Sequence, residues 1–318
     1  MSFIFSQLFV KIPYPKADHS GQTIIVTGAN VGLGLEASRH FVRLNAAKVI
    51  LAVRNLEKGE KAKESIEEST KRPGVTEVWQ LDLSSYESTK QFARRAQGLN
   101  RLDALVENAG IATAKYSTTE DNESTITTNV VSTFLLAIML LPKLRESGNK
   151  FNSTPHLTVV SSEVHGWVDF PERNSPDIFK VLNDRETANM ETRYQTSKLL
   201  EVFIVRELAA RARERSKGKV IMNLANPGLC HSELARDAGY FLYFLKLFLA
   251  RTSEHGSRSM VNAAADGPDT DGQYLSDGRI TEPAPLVRSE EGVKAQKQIW
   301  DELFQKLEKI QPGVMSNV

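Results

Sequence analysis

The stretch T-I-I-V-T-G-A-N-V-G-L-G, residues 23 to 34, decides how the rest of the chain is read. Thr23-Ile24-Ile25-Val26 is β-branched and nearly all apolar, as suits a strand buried on both faces. Gly28, Gly32 and Gly34 follow, and then Ala37, Phe41 and Leu44 recur at helical spacing. The unit is strand, glycine-rich turn, helix. Glycines in such a turn remove side chains that would hold a phosphate away, and the helix N-terminus presents unpaired N–H groups and the positive end of its dipole. A dinucleotide is the ligand this suits. A tight turn that needs glycine for steric reasons alone is the bland alternative, and G-x3-G-x-G differs from the G-x-G-x-x-G fingerprint.

The chain has 318 residues with no composition break or Gly/Ser/Pro-rich linker, so one large α/β domain is expected. Forty Lys and Arg against 39 Asp and Glu leave a formal charge of +1, which gives no electrostatic bias toward nucleic acid. The single cysteine, Cys230, excludes an intramolecular disulfide and is compatible with a reducing, cytoplasmic setting. Residues 1 to 14 are apolar but lack a basic n-region and cleavage site, so residues 1–20 read as a packed N-terminal arm before a domain at 21–318. Tyr240 to Ala250, Y-F-L-Y-F-L-K-L-F-L-A, is too short to span a bilayer. It reads as a core helix, a flap over an apolar substrate, or an interfacial membrane contact, with the flap favoured by its place in the chain.

Lys48 to Val53 is a second strand, followed at once by Arg54, about twenty residues beyond the last glycine. An acidic residue there would favour NAD through the ribose 2′-OH, whereas an arginine can pair with a 2′-phosphate, so NADP(H) is the expected cofactor. Arg54 as a merely solvated cation is the alternative, and Lys58 reads as solvent-facing. Val75 to Leu83 is a third strand carrying Asp82, a potential cap for the segment after Ser84. Leu102 to Val106 is a fourth, leading into Glu107-Asn108-Ala109-Gly110. Thr125 to Arg145 reads as one long apolar helix in which Asn129 invites explanation and Pro142 should kink or interrupt.

His156 to Ser162 is a fifth strand ending in two hydroxyls at the edge where open parallel sheets hold ligands. Tyr194 and Lys198 are four apart on an expected helix to about Arg215, with Cβ atoms roughly 5 to 6 Å apart. A nearby ammonium should pull the tyrosine's proton affinity from about 10 toward neutrality. Tyr194 can then serve as a general acid or base. Val220 to Leu224 and Gly272 to Leu275 are later strands, and Ser289 to Ile310 a charged amphipathic helix. His165, Trp167 and Phe170 read as packing residues, and adjacent Cys230 and His231 as pocket lining; no metal-ligand pattern accompanies them.

Thr27-Gly28-Ala29-Asn30-Val31-Gly32-Leu33-Gly34 resembles the T-G-x-x-x-G-x-G cofactor motif of short-chain dehydrogenases/reductases, and the resemblance extends to about residue 285. With P-G-L-C-H-S later, it is most similar to the retinol-dehydrogenase-like branch and its fungal secondary-metabolism members. The resemblance implies a single-domain, doubly wound parallel sheet of Rossmann type with helices on both faces. It implies cofactor contacts from Thr27, Gly28, Asn30, Val31, Gly32, Leu33, Gly34, Asp82, Leu83, Asn108, Ala109, Gly110, Tyr194, Lys198, Pro227, Gly228 and Ser232, besides Arg54. Glu107 departs from the family's usual N-N-A-G. By resemblance Tyr194, Lys198, Ser162 and Asn129 form the catalytic set: Ser162 orients the carbonyl, Asn129 bends its helix around a relay water, and Lys198 also binds the nicotinamide ribose. Ser161 is the runner-up for the serine. The insert at 163–193 should form part of the substrate wall and 229–256 the lid. The expected activity is NADPH-dependent reduction of a ketone or aldehyde on a small apolar molecule, by a homodimer or monomer with peripheral membrane contact conceivable. NAD-linked alcohol oxidation and a non-catalytic dinucleotide sensor are the rivals.

Overall fold

The computed structural model describes residues 3–215, 218–231 and 250–318. Its main sheet runs through β1 (Thr23–Thr27), β2 (Lys48–Val53), β3 (Thr76–Gln80), β4 (Ala104–Glu107), β5 (His156–Val160), β6 (Ile221–Asn226), β7 (Tyr274–Ser276) and β8 (Arg279–Ile280). The spatial order is β8-β7-β6-β5-β4-β1-β2-β3. Every pairing in it is parallel except β7 with β8, so the expected parallel sheet carries one short antiparallel strand at its edge. Two residues per strand suffice there because Asp277 and Gly278, both with positive φ, turn the chain tightly back.

Alternation along the strands divides the core into two layers. Ile25, Ile50 and Ala52 face one layer with α4 (Tyr86–Gln97), α5 (Thr133–Phe151), α6 (Ile178–Leu182), α7 (Arg193–Arg215) and α9 (Glu290–Ile310). Ile24, Val26, Val49 and Leu51 face the other, with α2 (Gly32–Arg43), α3 (Leu56–Thr70) and α8 (Ser253–Ala263). Helices on both faces explain why β1 reads as a continuous apolar run. The order reverses between β1 and β4, so the C-terminal ends of these two strands open a crevice, the place where doubly wound sheets hold ligands.

Two local expectations are corrected. Pro142 neither ends nor interrupts its helix, since α5 runs through it to Phe151. Proline removes the N–H that would bond the carbonyl four residues back. That carbonyl, on Ile138, instead accepts from Asn317 Nδ2 at 3.2 Å, so a side chain from the C-terminus supplies the missing donor. The irregularity lies earlier, in a π-turn over Thr127–Ser132. Asp82 does not cap α4: Ser85 does, accepting from Ser88 N–H, while Asp82 Oδ1 accepts from Ser84 N–H and Oγ–H.

The N-terminal arm contains a short helix, α1 (Phe3–Phe9), and is tied down by Arg251. Its Nη2 donates to Ser6 O at 2.7 Å, Val10 O at 3.1 Å and Asp277 Oδ1 at 2.8 Å. Ser124–Phe151 is the segment among the described residues long and apolar enough to cross a membrane, and its most apolar eighteen residues are buried in the core. The expected lid falls largely on 232–249, which lies outside the described residues together with Ser232 and all of the apolar stretch except Ala250.

Candidate active site

The glycine turn is shaped by close approach. Gly28 and Gly32 have φ of +66° and +60°, values that L side chains seldom adopt. A Cβ on Gly34 would come within 2.5 Å of Gly28 O and 2.6 Å of Asn108 Nδ2, so only glycine lets the start of α2 pass that close to the loop. Val31 at its N-cap contributes no side-chain hydrogen bond, whereas Asn55, Ser85, Thr252 and Ser289 cap α3, α4, α8 and α9. The first N–H groups of α2 thus remain available to an anion, and the turn fits a pyrophosphate.

The loop after β4 is bolted to the end of β1. Thr27 Oγ1 accepts from the backbone N–H groups of Asn108 and Ala109, both at 2.9 Å, and Asn108 Nδ2 donates to Thr27 O at 2.8 Å. Thr27 Oγ–H in turn donates to Glu107 Oε2 at 3.3 Å. Glu107 is buried, and its Oε1 has no partner. Burial pushes this carboxyl up to about 8, against the pull of Thr27 and with help from the charge of Glu201. A carboxyl whose folded value exceeds its unfolded 4.5 stabilises the fold fully below 4.5 and loses that contribution as pH rises through about 8. Glu107→Gln is expected to flatten the fall of melting temperature across that window. Parallel declines in variant and wild type would show that Glu107 ionises freely.

Asn129 lies in the π-turn, where the extra residue swings its side chain toward the same loop. Its Oδ1 accepts from Ile111 N–H at 2.8 Å, and its Nδ2 donates to Ile111 O at 2.9 Å and Ser197 Oγ at 3.0 Å. It therefore joins the β4 loop to α7. Gly110 packs against it, since a Cβ there would lie 3.2 Å from Asn129 Oδ1.

Tyr194 and Lys198 share one face of α7, with Lys198 Nζ 5.6 Å from the centre of the Tyr194 ring. The two serines after β5 diverge. Ser161 is buried, its hydroxyl donating to Lys198 O at 3.3 Å; Ser162 is half-buried and caps the Glu163–Gly166 turn. Its Oγ accepts only a long 3.4 Å bond from Val164 N–H, which leaves the hydroxyl proton for a ligand.

The pull on the tyrosine is corrected. Burial, aided by the charge of Glu201, outweighs Lys198 and holds the Tyr194 phenol above its ordinary value. The smaller contribution comes from a residue that the motif reading missed. Glu201, 2% exposed, takes the Lys198 ammonium at 2.8 and 3.1 Å, and the third contact of Nζ goes to Val160 O at 2.9 Å. Its signal in the sequence was an acidic residue inside L-L-E-V-F-I, a run otherwise apolar.

The remaining positions spread around this centre. Arg54 follows β2, exposed, with no ion-pair partner among the described residues. Asn30 and Leu33 flank the turn half-buried, and Leu83 is buried after β3. Gly228 follows β6 with φ +75°, its N–H held by Asn226 Oδ1 at 3.0 Å, and Pro227 O receives Arg251 Nη1 at 3.5 Å. His165 is buried and fully bonded: its ring lies 4.7 Å from that of Tyr274, Nδ1 donates to Ser162 O and Nε2 accepts from Ala284 N–H. It is packing, as its sequence setting suggests. Cys230 is buried beside Pro227 O, and His231 pairs its backbone with Arg251.

A family model described as short chain dehydrogenase matches residues 22–152. The short chain dehydrogenase/reductase dmxR8 of Cryptosporiopsis sp. is 51% identical over 326 aligned residues, covering all of both chains. The chain belongs to the short-chain dehydrogenase/reductase family. Short-chain dehydrogenase anuD of Penicillium roqueforti is 43% identical, with 99% of this chain and 84% of the relative aligned. Among solved structures, a short chain dehydrogenase from Shigella flexneri, in complex with NADP, superposes with a TM-score of 0.58 at 23% identity, covering 83% of this chain and all of the other. That likeness bears on the fold. In a short-chain dehydrogenase/reductase, an oxidoreductase using a nicotinamide dinucleotide and a small-molecule substrate, the β1–β4 crevice and the Tyr194 face of α7 adjoin through the Asn129 bridge.

Proposed function

We propose that this protein is an NADPH-dependent carbonyl reductase acting on a small apolar ketone or aldehyde. The observation that carries the reading is the meeting of the uncapped start of α2, the Thr27–Asn108 junction and the Tyr194–Lys198 face around one crevice. The backbone of residues 28 to 34 would hold the pyrophosphate, Asp82 and Leu83 the adenine, Asn108 to Gly110 and Pro227 to Gly228 the nicotinamide side, and Lys198 its ribose. When bound, the nicotinamide supplies a hydride for the carbonyl carbon. Ser162 Oγ–H donates to the carbonyl oxygen and orients it. Tyr194 gives that oxygen its proton, and the Lys198 ammonium stabilises the phenolate left behind. A phenol kept above its ordinary value by burial stays protonated at neutral pH, the state a reductase needs.

The preference for NADPH rests on Arg54, exposed at the end of β2 where a 2′-phosphate would lie; a structural neighbour of the same fold was solved with NADP. Arg54→Asp is expected to raise the NADPH dissociation constant at least about tenfold, about 1.4 kcal/mol, with NADH little changed. Quenching of tryptophan fluorescence reads both. An unaltered NADPH constant would reduce Arg54 to a solvated cation. The activity itself is tested by NADPH consumption on addition of apolar ketones and aldehydes; turnover confined to NAD and alcohols would favour the reverse reaction.

A further inference from the structure

Glu201 has no part in the reading so far, yet it is the closest charge to Lys198. It lies one helical turn beyond Lys198, among Leu199, Leu200, Val202 and Phe203, all fully buried. The two oxygens and Val160 O hold the ammonium from three directions, at 2.8, 3.1 and 2.9 Å. Placing an ion pair this deep costs desolvation that its own attraction offsets only in part, so such a pair is a weak source of stability. Its geometry gives it another effect.

We propose that Glu201 is a positioning residue for the reduction: it pins Lys198 against Val160 O beside Tyr194 and offsets part of the ammonium's field at the phenol, setting the pH at which Tyr194 releases its proton. The proposal rests on Tyr194 as the proton donor. The charged groups facing Glu201 and Tyr194 are few. On α7 they are Lys198 and each other, and from β4 comes Glu107. β6 and the Thr127–Ser132 turn, both packed on α7, carry no titratable side chain. Arg193 at the start of α7 is engaged by Glu123, and toward its far end Arg211 is engaged by Glu207 and by Asp301 of α9. On the turn packed against α7, Glu163 feels Asp277 and Arg251, and His165 is engaged by Ser162 O and Ala284 N–H. Burial pushes Glu201 up to about 7, against the pull of Lys198 and of a hydrogen bond from Ser161. Burial alone would lower Lys198, but the charges of Glu201 and Tyr194 prevail and keep it a cation.

The sign of the effect follows. A neutral amide at position 201 leaves the ammonium unopposed at the phenol, which favours the phenolate. In Glu201→Gln the ultraviolet step of tyrosinate formation at Tyr194, isolated by subtracting the titration of Tyr194→Phe, should move down by about one pH unit or more. The alkaline limb of NADPH-dependent reduction should move with it. The NADPH dissociation constant should rise severalfold, because Lys198 keeps Val160 O but loses the two carboxylate contacts that fix it. If Glu201→Gln does not fold, Glu201→Asp, with its carboxylate drawn back by one methylene, should move the step in the same direction by less. A step left in place in the folded variant, with only melting temperature or turnover reduced, would make Glu201 structural and overturn the proposal. A step that moves while the alkaline limb stays would instead overturn Tyr194 as the proton donor.

Discussion

Tyr194→Phe is expected to lower the rate of carbonyl reduction by about 10²- to 10⁴-fold, the range that a positioned general acid contributes. Phenylalanine keeps the ring and loses only the oxygen, and the Tyr194 hydroxyl has no hydrogen-bond partner in the described structure on which folding would depend. Lys198 keeps its contacts to Glu201 and Val160, and the glycine turn is untouched. NADPH affinity should therefore stay within about twofold of wild type, so that the loss falls on turnover rather than on binding. Stopped-flow reduction beside a fluorescence titration separates the two. A variant with normal turnover would remove Tyr194 from the reaction, and one that no longer binds NADPH would make the ring part of the cofactor site.

The second large effect is on stability. Glu123 and Arg193 form an ion pair at 3.5 Å with exposures of 0% and 1%. Glu123 also accepts from Thr125 N–H at 2.8 Å, Thr125 Oγ–H at 3.0 Å and Ile126 N–H at 3.3 Å, capping the segment that leads into the π-turn. Glu123→Ala removes the larger counter-charge of a buried guanidinium, leaving Glu172 as the smaller one, and leaves three donors without an acceptor. The expected loss is about 3–5 kcal/mol, or roughly 4 to 8 °C in melting temperature for a chain of this length. Arg193 directly precedes Tyr194, so activity should decline before global unfolding as the first turn of α7 loosens. Replacing both partners by apolar residues, Glu123→Leu with Arg193→Met, should recover much of the loss, because the cost lies in the orphaned charge. A single variant melting within a degree or two of wild type would contradict this.

The parts of the fold that were legible in the sequence are those decided by neighbours along the chain. β1 announces itself by four consecutive residues that suit burial on both faces, and the turn after it by glycines that the backbone conformation does require at Gly28 and Gly32. Lys48–Val53 was read to its exact ends because the apolar run stops at Arg54. What was not legible depends on residues brought from far away. Proline at 142 implies a kink or an interruption, and the helix is not interrupted; Asn317, 179 residues from Ile138, bonds the Ile138 carbonyl that Pro142 leaves bare. Tyr194 and Lys198 were found by spacing, but the direction of the tyrosine's shift was misjudged. Spacing shows that an ammonium is near and does not show that burial of the phenol outweighs it, with a buried glutamate adding to the same effect. Periodicity cannot separate Ser161 from Ser162; the turn after β5 does distinguish their surroundings, since the Ser161 hydroxyl donates to the α7 backbone while Ser162 Oγ accepts a long bond from Val164 N–H. Arg251 carries no local sequence signal, yet it ties the N-terminal arm, the Pro227 loop and Asp277 together.

The central claim is that the crevice between β1 and β4 binds NADPH for carbonyl reduction, and titration of the purified wild-type protein with NADPH and with NADH, followed by tryptophan fluorescence, tests it most directly. NADPH should bind at least about tenfold more tightly than NADH, a difference of about 1.4 kcal/mol that one phosphate contact can supply. Tighter binding of NADH would contradict the role given to Arg54 and point to alcohol oxidation, and binding of neither would contradict the reading of the glycine turn itself.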